Sequence, residues 1–278
     1  MDKKKQGRML LLQILLLGLI LQLGSGWAQE PKAMTFITSD DVSIEADLYK
    51  AGHKANSDTL IVVAPGFAQH KGTRNMKAVC GALTATADIL IVDFRGNGQS
   101  SGSYWFGTKE YLDLEPALKW ARPLYRKIYL MGFSIGAYTC VRAASQHPEW
   151  VDWLFLISCP TKVEEIVSSG GALYNPLAMM TRKVDYKFVP ENDMFFRWGP
   201  IFSGKPSAQD LASKLKMSAS FLVGSKDALV FERLSRTVFD AYAGPKTWTK
   251  FEDGVHAEGM FLQFPEKFME WFKAEMKK

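Results

Sequence analysis

Short apolar runs recur along the chain and are separated by stretches in which apolar residues repeat every three or four positions. An uninterrupted apolar run is typical of a strand that is buried on both faces of a parallel sheet. Such runs lie at Leu60–Ala64, Ile89–Asp93, Ile128–Met131, Trp153–Ser158 and Phe221–Val223. Helical spacing fills the intervals at Met76–Leu83, Tyr111–Leu118, Ile135–Gln146, Leu229–Ala241 and Glu258–Lys277. Strands that alternate with helices predict an α/β fold with a doubly wound, mostly parallel sheet.

The chain before the first buried run has a different pattern of apolar and polar positions. Residues 35–48 alternate between apolar and polar positions, which predicts a paired antiparallel edge of the sheet. The side chains expected to face the core are those of Phe36, Ile37, Val42, Ile44 and Leu48.

One interval shows no strand pattern. About sixty residues between Cys159 and Phe221 contain clustered Met, Phe and Trp side chains and are interrupted by Pro176, Pro190, Pro200 and Pro206. A structureless loop of that length is uncommon inside a compact domain. We therefore predict a small cap inserted into the sheet at about 161–218.

The amino-terminal segment has the features of a targeting signal. Lys3, Lys4, Lys5 and Arg8 precede a Leu-rich run of 15 residues at positions 9–23, and small residues follow at Gly26 and Ala28. As a helix the run would measure roughly 22 Å, which is shorter than the hydrocarbon core of about 30 Å. Residues 1–28 are thus expected to be a signal peptide of an exported protein, periplasmic or secreted. An uncleaved membrane anchor at 9–23 is the alternative.

Composition suits one globular domain over residues 29–278, because 47% of the chain is hydrophobic and 23% is charged. The formal charge is +5, and residues 1–28 account for +3 of it. What remains is too weak to indicate nucleic-acid binding. The three cysteines lie in apolar stretches, which favours small buried core residues. The sequence contains no C-x-x-C pattern and no cluster of histidines, so no metal site is predicted. No cofactor is expected either.

A candidate nucleophile lies between the third buried run and the helix that follows it. Gly132, Ser134 and Gly136 match the pattern G-x-S-x-G, in which the serine occupies a strained turn that bulkier neighbours would not tolerate. The pattern alone is moderately specific, but the predicted strand before it and helix after it are the context that the pattern requires.

A serine hydroxyl needs an imidazole to take its proton. Of the four histidines, His53 and His147 lie in polar segments expected at the surface, and His70 lies near the loop after the first buried run. His256 follows the last predicted strand, Thr247–Phe251, and is therefore the candidate base.

An acidic residue must orient the imidazole. Asp227 ends the segment that follows the strand at Phe221–Val223, so it is expected at the carboxyl end of the sheet, although it could also cap the next helix. Asp253 is the rival acid. The order Ser134, Asp227, His256 along the chain is that of α/β-hydrolases rather than of the two well-known protease folds.

These segments resemble the α/β-hydrolase superfamily over about 200 residues, and they are similar to its serine esterases and lipase-like members, including the cinnamoyl-esterase and acylglycerol-lipase type. The stretch Asp93–Gly102 resembles the family's D-x-R-G-x-G-x-S sequence. The resemblance implies that Asp93 and Arg95 are structural supports of that turn. It is specific for the fold and weak for the substrate.

The chain departs from the family at the loop that usually begins with His-Gly. Here Pro65 precedes Gly66 and Phe67. The resemblance implies an oxyanion hole formed by the backbone N–H groups of Phe67 and Ile135. The missing histidine leaves open how this loop is supported. It does not affect the two backbone N–H donors.

The residues together favour a serine hydrolase that cleaves carboxylic esters of small-molecule size through an acyl-enzyme on Ser134. An amide or peptide hydrolase, aminopeptidase-like, would use the same three residues. A catalytically silent binding protein on this fold is a third possibility. The aromatic and methionine residues of the predicted cap suit either an apolar substrate pocket or simple packing of the cap.

Overall fold

One sheet of eight strands organises the part of the chain that the computed structural model describes, which is residues 30–52, 55–162, 164 and 204–278. The strands are β1 (Lys32–Ile37), β2 (Ser43–Tyr49), β3 (Asn56–Ala64), β4 (Ala87–Val92), β5 (Lys127–Phe133), β6 (Trp153–Ile157), β7 (Ser218–Gly224) and β8 (Lys246–Phe251). Their order across the sheet is β1-β2-β4-β3-β5-β6-β7-β8. Strand β2 is antiparallel to β1 and β4, and all other neighbours are parallel. The predicted fold class is confirmed.

Helices cover both faces of this sheet. They are α1 (Arg74–Leu83), α2 (Tyr111–Ala121), α3 (Ile135–Gln146), α4 (Ala208–Ala212), α5 (Glu232–Ala241), α6 (Glu258–Gln263) and α7 (Pro265–Glu275), with a short 3₁₀ turn at Pro148–Trp150. Helices α1, α6 and α7 share one hydrophobic cluster, whereas α2, α3, α4 and α5 contribute to the other. The chain is thus wound on both sides of the sheet.

Strand β3 shows why its sequence has no polar alternation. Leu60 and Val62 belong to the cluster on the α3 side, while Ile61 and Val63 belong to the cluster on the α1 side. All four side chains are fully buried. Because successive side chains of a strand point to opposite faces, a strand covered on both faces must be apolar at every position.

The antiparallel edge at residues 35–48 is present as β1 and β2, but one expected core residue is exposed. Phe36 pairs with Ile44 and both are buried, whereas Ile37 pairs with Ser43 and is 60% exposed. Consecutive residues of a strand cannot face the same side, so the prediction that both Phe36 and Ile37 point inward was wrong.

The predicted helix Glu258–Lys277 is two helices. Helix α6 ends at Gln263, and Pro265 is the first residue of α7. Proline has no backbone N–H to continue the hydrogen-bond ladder, and it is well suited to the first position of a new helix. Phe264, with φ of −136°, forms the break.

Two predicted segments lie wholly or largely outside the described residues: the signal peptide at 1–28 and most of the cap at 161–218. The described end of the latter contains α4, which packs against α3 and α5, and the strand β7 already begins at Ser218. Both assignments stay predictions. Over the ranges that the structure describes, no helix is long and apolar enough to span a membrane.

Candidate active site

Ser134 occupies the turn between β5 and α3. Its backbone has φ of 54° and ψ of −122°, a conformation that residues other than glycine rarely adopt. The turn is held by the hydrogen bond from the Ser134 N–H to the carbonyl of Ile157, at 2.9 Å, which joins it to the end of β6. Only 7% of the residue is exposed. Such local strain, held in place by neighbouring strands, is typical of functional sites.

The glycines on either side of Ser134 are required by close packing of the backbone. A Cβ on Gly132 would lie 2.4 Å from the Cα of Ala137, inside α3. A Cβ on Gly136 would lie 2.2 Å from the carbonyl oxygen of Ala64, at the end of β3. Any side chain at either position would therefore push α3 away from the sheet and displace Ser134.

Asp227 and His256 are in direct contact, although 29 positions separate them in the sequence. Nδ1 of His256 lies 2.9 Å from both carboxylate oxygens of Asp227. Asp227 follows β7 and His256 follows β8, and these two parallel strands are neighbours, so the sheet brings their carboxyl ends together. The Asp227 side chain is 1% exposed and the His256 side chain is 12% exposed.

Asp227 is also fixed by the chain that follows it. Its Oδ1 accepts hydrogen bonds from the N–H groups of Leu229 and Val230, at 3.0 and 2.8 Å. These bonds form a turn, and α5 begins after it at Glu232 rather than at Leu229, where the apolar spacing predicted it. These two hydrogen bonds therefore fix the orientation of the carboxylate independently of its contact with the imidazole.

The charges of this pair shift both pKa values toward the charged forms. Burial alone would lower the pKa of His256, but the charge of Asp227 and its hydrogen bond outweigh burial and raise the pKa above the usual 6.5. Burial would raise the pKa of Asp227, but His256 holds it below the ordinary value for an aspartate. The arrangement stabilises an imidazolium next to a carboxylate.

The other acid and base candidates lie elsewhere. Asp253 forms an ion pair with Lys226 at 2.7 Å, and both side chains are 66% exposed. His147 stacks on Trp150 with ring centroids 3.8 Å apart, in the turn after α3. His70 accepts a hydrogen bond at Nδ1 from the Gly72 N–H within its own loop. His53 lies outside the described residues.

The loop after β3 lies against the serine turn. A Cβ placed on Gly66 would be 3.6 Å from the Cβ of Ser134 and 3.4 Å from the carbonyl oxygen of Phe133. Phe67 follows directly, and its ring stacks on that of Phe106 with centroids 5.6 Å apart. Ile135 is the first residue of α3 and is buried. Phe67 and Ile135 therefore belong to the two segments that meet at Ser134.

The loop has a support that sequence reasoning missed. The N–H of Lys71 donates to Oδ1 of Asp93 at 2.6 Å, and the Lys71 ammonium donates to Asp47 at 2.9 Å. Within the loop, the N–H of Gln69 donates to the carbonyl of Gly66 at 3.2 Å. These contacts fasten the loop to β2 and to the residue that follows β4. Asp47 is one of the polar residues of the alternating strand β2, so nothing in the pattern distinguished it as a support.

Asp93 and Arg95 connect several segments beneath the site. The other oxygen of Asp93 accepts from the N–H of Gln99 at 3.0 Å, inside the turn that follows β4. Arg95 donates from Nε to Asp113 at 2.7 Å and binds Asp40 with two further nitrogens, at 2.7 and 2.9 Å. The Arg95 hydrogen bonds lower the pKa of Asp40 to about 2.

Aromatic side chains line the loop on the side of Phe67. The ring of Tyr104 lies 5.9 Å from that of Phe67 and 5.1 Å from that of Phe106. The Phe106 carbonyl accepts a hydrogen bond at 2.8 Å from the buried ammonium of Lys205, which belongs to the described end of the predicted cap. An apolar wall therefore adjoins the candidate oxyanion loop.

A second buried carboxyl group was also missed from the sequence. Glu258 is the first residue of α6 and is 4% exposed. Its Oε2 lies 3.6 Å from the position of a Cβ on Gly66. A lone acidic residue two positions after the candidate base, at the start of an apolar helix, was the only signal.

Cysteines and metal ligands add no further chemistry to this site. Cys80, Cys140 and Cys159 are buried and unpaired. Within residues 30–52, 55–162, 164 and 204–278, no group of three or more His, Cys, Asp or Glu side chains could hold a metal ion.

A family model described as the alpha/beta hydrolase fold matches residues 59–254. Among curated proteins, an uncharacterized protein of Rickettsia prowazekii is 27% identical over 183 residues, which are 54% of this chain and 76% of that protein.

Two solved structures extend the likeness to nearly the whole chain. The Pyrococcus furiosus esterase has a TM-score of 0.72 and 21% identity, with 89% of this chain and 91% of that chain covered. A Butyrivibrio proteoclasticus protein solved with ferulic acid bound has a TM-score of 0.64 and 18% identity, with 88% and 100% covered. At these identities the likeness shows the fold.

Proposed function

This chain belongs to the α/β hydrolase family, and from that premise we propose that it is a serine hydrolase that cleaves carboxylic esters through an acyl-enzyme on Ser134. The observation that carries the proposal is the contact between Asp227 and His256, formed at the same edge of the sheet as the strained turn of Ser134. The family and its fold support hydrolase activity on a small molecule. The ester bond and the acyl-enzyme are the proposal.

The first half of the reaction transfers the acyl group to the enzyme. Ser134 Oγ attacks the acyl carbonyl carbon while Nε2 of His256 takes the hydroxyl proton, and the carbonyl π electrons move to its oxygen. Asp227 holds the opposite ring nitrogen and stabilises the imidazolium. The tetrahedral adduct then collapses, the C–O bond to the alcohol breaks, and the alcohol leaves with the proton from His256.

The second half hydrolyses the acyl-enzyme and regenerates the free enzyme. A water molecule gives its proton to His256 and attacks the acyl carbon, and the second adduct collapses with release of the acid and return of the proton to Ser134. In both halves the backbone N–H groups of Phe67 and Ile135 would bind the oxyanion. Donors of this kind contribute about 3 kcal/mol each to stabilising the transition state. The bonds of Lys71 to Asp93 and Asp47 support the Phe67 side of this arrangement.

Ester preference is supported by the apolar wall of Phe67, Tyr104 and Phe106. These rings suit an acyl or aromatic group beside the oxyanion loop. Purified enzyme is expected to hydrolyse nitrophenyl esters of short and medium acyl chains, with aminoacyl anilides left at the background rate. Faster cleavage of the anilides would instead assign an amide hydrolase.

The rate should depend on pH through His256, which must be neutral to accept the proton of Ser134. Because Asp227 raises the His256 pKa, kcat/KM should fall as the pH decreases through a midpoint above 6.5, the usual value for histidine. A pH series with a nitrophenyl ester measures this midpoint. A rate that stays constant down to pH 5 would exclude His256 as the base.

We further propose that residues 1–28 direct export, on the evidence of the basic and apolar pattern of that segment. Expression of the full chain in a bacterial host, followed by sequencing of the mature amino terminus, tests this. A new terminus just after Ala28 is the expected result, and an intact Met1 on membrane-bound protein would identify an anchor.

A further inference from the structure

The hydroxyl of Ser158 lies inside the molecule at the end of β6, and the proposed reaction does not use it. Ser158 directly follows β6, is fully buried, and has φ of 51°, a value that residues other than glycine rarely adopt. Its N–H donates to the carbonyl of Leu222 on β7 at 2.9 Å, so the neighbouring strand holds the strained backbone in place. A buried residue kept in such a conformation is typical of a functional position.

The Ser158 hydroxyl holds the chain directly after the candidate base. Its Oγ accepts a hydrogen bond from the N–H of Ala257 at 3.1 Å. Ala257 follows His256, is fully buried, and also has a positive φ, of 47°. Because this N–H precedes the first turn of α6 and is shielded from water, it needs an acceptor within the protein. Ser158 supplies that acceptor and thereby fixes the backbone next to the imidazole.

The same hydroxyl also contacts the acid. After its oxygen has accepted a bond, a serine hydroxyl still has one hydrogen to donate, and that of Ser158 goes to the carboxylate of Asp227. Burial raises the pKa of Asp227, the charge and hydrogen bond of His256 outweigh burial, and the Ser158 bond lowers the pKa further. One hydroxyl therefore joins the acid to the segment that carries the base.

The position of β6 in the sheet allows this connection. Strand β6 lies between β5, which ends at the serine turn, and β7, which leads to Asp227. The carbonyl of Ile157, the last residue of β6, accepts the N–H of Ser134 at 2.9 Å. Two successive residues, Ile157 and Ser158, thus contact the segments of all three candidate catalytic residues.

We propose that Ser158 is a positioning residue of this site, whose hydroxyl fixes the carboxylate of Asp227 and the backbone next to His256 relative to each other. It acts through the geometry of the acid and base rather than on the substrate. The catalytic meaning of this inference rests on the proposed function. Its physical content, the orientation of the imidazole by the hydroxyl, can be measured without any substrate.

The kinetic test compares Ser158→Gly with Ser158→Ala, which both lack the hydroxyl. Glycine suits a positive φ better than serine does, so Ser158→Gly should fold without added backbone strain. In both variants kcat with a nitrophenyl ester should fall roughly 10- to 100-fold while KM stays constant, because a misplaced base slows the reaction without weakening binding. A kcat within about twofold of the wild type in both variants would overturn the proposal, and so would an effect confined to KM.

Ser220→Ala is the matched control, since Ser220 is also fully buried and its hydroxyl also bridges two groups. It accepts from the indole N–H of Trp153 at 3.0 Å and donates to the carboxylate of Glu275 at 2.8 Å. Ser220 is the third residue of β7, whereas Asp227 follows the opposite end of that strand. The control should melt at a lower temperature and keep kcat within about twofold of the wild type. An equal fall of kcat in Ser220→Ala would assign the effect to general loosening of the sheet and refute a positioning role.

The tautomer of His256 provides the test that needs no substrate. In a neutral imidazole the protonated nitrogen is set by its hydrogen bond, and Asp227 at Nδ1 favours the proton there. Ring ¹⁵N shifts of histidine-labelled enzyme, measured where the imidazole is neutral, should show the Nδ1–H form in the wild type and in Ser220→Ala. Ser158→Gly should instead show a mixture with the Nε2–H form. The signal is identified by its loss in His256→Ala.

Wild-type shifts in Ser158→Gly would contradict the proposal, because the imidazole would then keep its orientation without the hydroxyl. If the wild type cleaves no ester, the proposed function fails, while the tautomer measurement still decides whether Ser158 positions His256.

Discussion

Ser134→Ala should abolish ester hydrolysis, with kcat reduced by about 10³-fold or more. The alanine has no oxygen to attack the acyl carbon, so the covalent pathway is lost. What remains is whatever the oxyanion hole and substrate binding provide to an attacking water. The same variant should not react with a fluorophosphonate probe, which labels activated serines. Rate assays with a nitrophenyl ester, together with probe labelling, measure both effects.

Ser145→Ala is the matched control for this variant. Ser145 also lies on α3, and its hydroxyl donates to the Arg142 carbonyl of the same helix, at 2.7 Å. It should retain wild-type activity and labelling. The substitution Ser134→Ala removes a single hydroxyl oxygen and leaves the apolar packing around it intact. The variant should therefore melt at about the wild-type temperature. Persistent hydrolysis by a well-folded Ser134→Ala would exclude Ser134 as the nucleophile.

Asp227→Asn should reduce kcat by about 10⁴-fold, the effect expected when the acid of such a triad becomes an amide. The asparagine cannot stabilise the imidazolium, and its NH₂ group can hold His256 in the tautomer that has no free lone pair toward Ser134. The Asp227 side chain is 1% exposed and bound to the imidazole, so KM should change little. The midpoint of the acid limb should also fall, because the charge that raises the His256 pKa is gone.

Asp253→Asn separates this role from that of the rival acid. Asp253 is exposed and paired with Lys226, so its charge is screened by water and its substitution should change kcat by less than about twofold. A large loss in Asp253→Asn with normal activity in Asp227→Asn would reverse the assignment. Steady-state kinetics of the two variants side by side decide between the two acids.

Most of the fold was predictable because its strands are buried on both faces. The runs at Leu60–Ala64 and Phe221–Val223 are apolar at every position, as expected of strands in a parallel sheet covered on both faces. The positions of Ser134, Asp227 and His256 followed from the same reasoning, since each lies just after a predicted strand. The carboxyl ends of parallel strands meet at one edge, so three distant residues could be expected together.

The supports of the site could not be predicted in this way. The bond between the Lys71 N–H and Asp93 joins two loops whose relative height depends on the twist and register of the sheet, and periodicity carries no information on either. Glu258 is similar. Its inward direction depends on Ala257, which adopts φ of 47° and is held by a hydrogen bond from its N–H to the hydroxyl of Ser158 at 3.1 Å. Nothing in the local sequence indicates a positive φ at an alanine.

The break at Pro265 and the exposure of Ile37 have simpler causes. A proline near the middle of a predicted helix was a visible signal that the apolar spacing on both sides concealed. Ile37 was assigned to the core because of its hydrophobicity, although its neighbour Phe36 already occupied the inward position. In both cases a local rule of backbone geometry should have been given more weight than the hydrophobic pattern.

The central claim, that Ser134 carries the acyl group, is tested most directly by locating the covalent adduct. The enzyme is treated with a fluorophosphonate, or quenched in acid during turnover of a nitrophenyl ester, and its peptides are then analysed by mass spectrometry. The account predicts a single modified residue, Ser134, at one adduct per chain, with no adduct in Ser134→Ala or His256→Ala. A stoichiometric adduct on any other residue, with Ser134 unmodified, would contradict it.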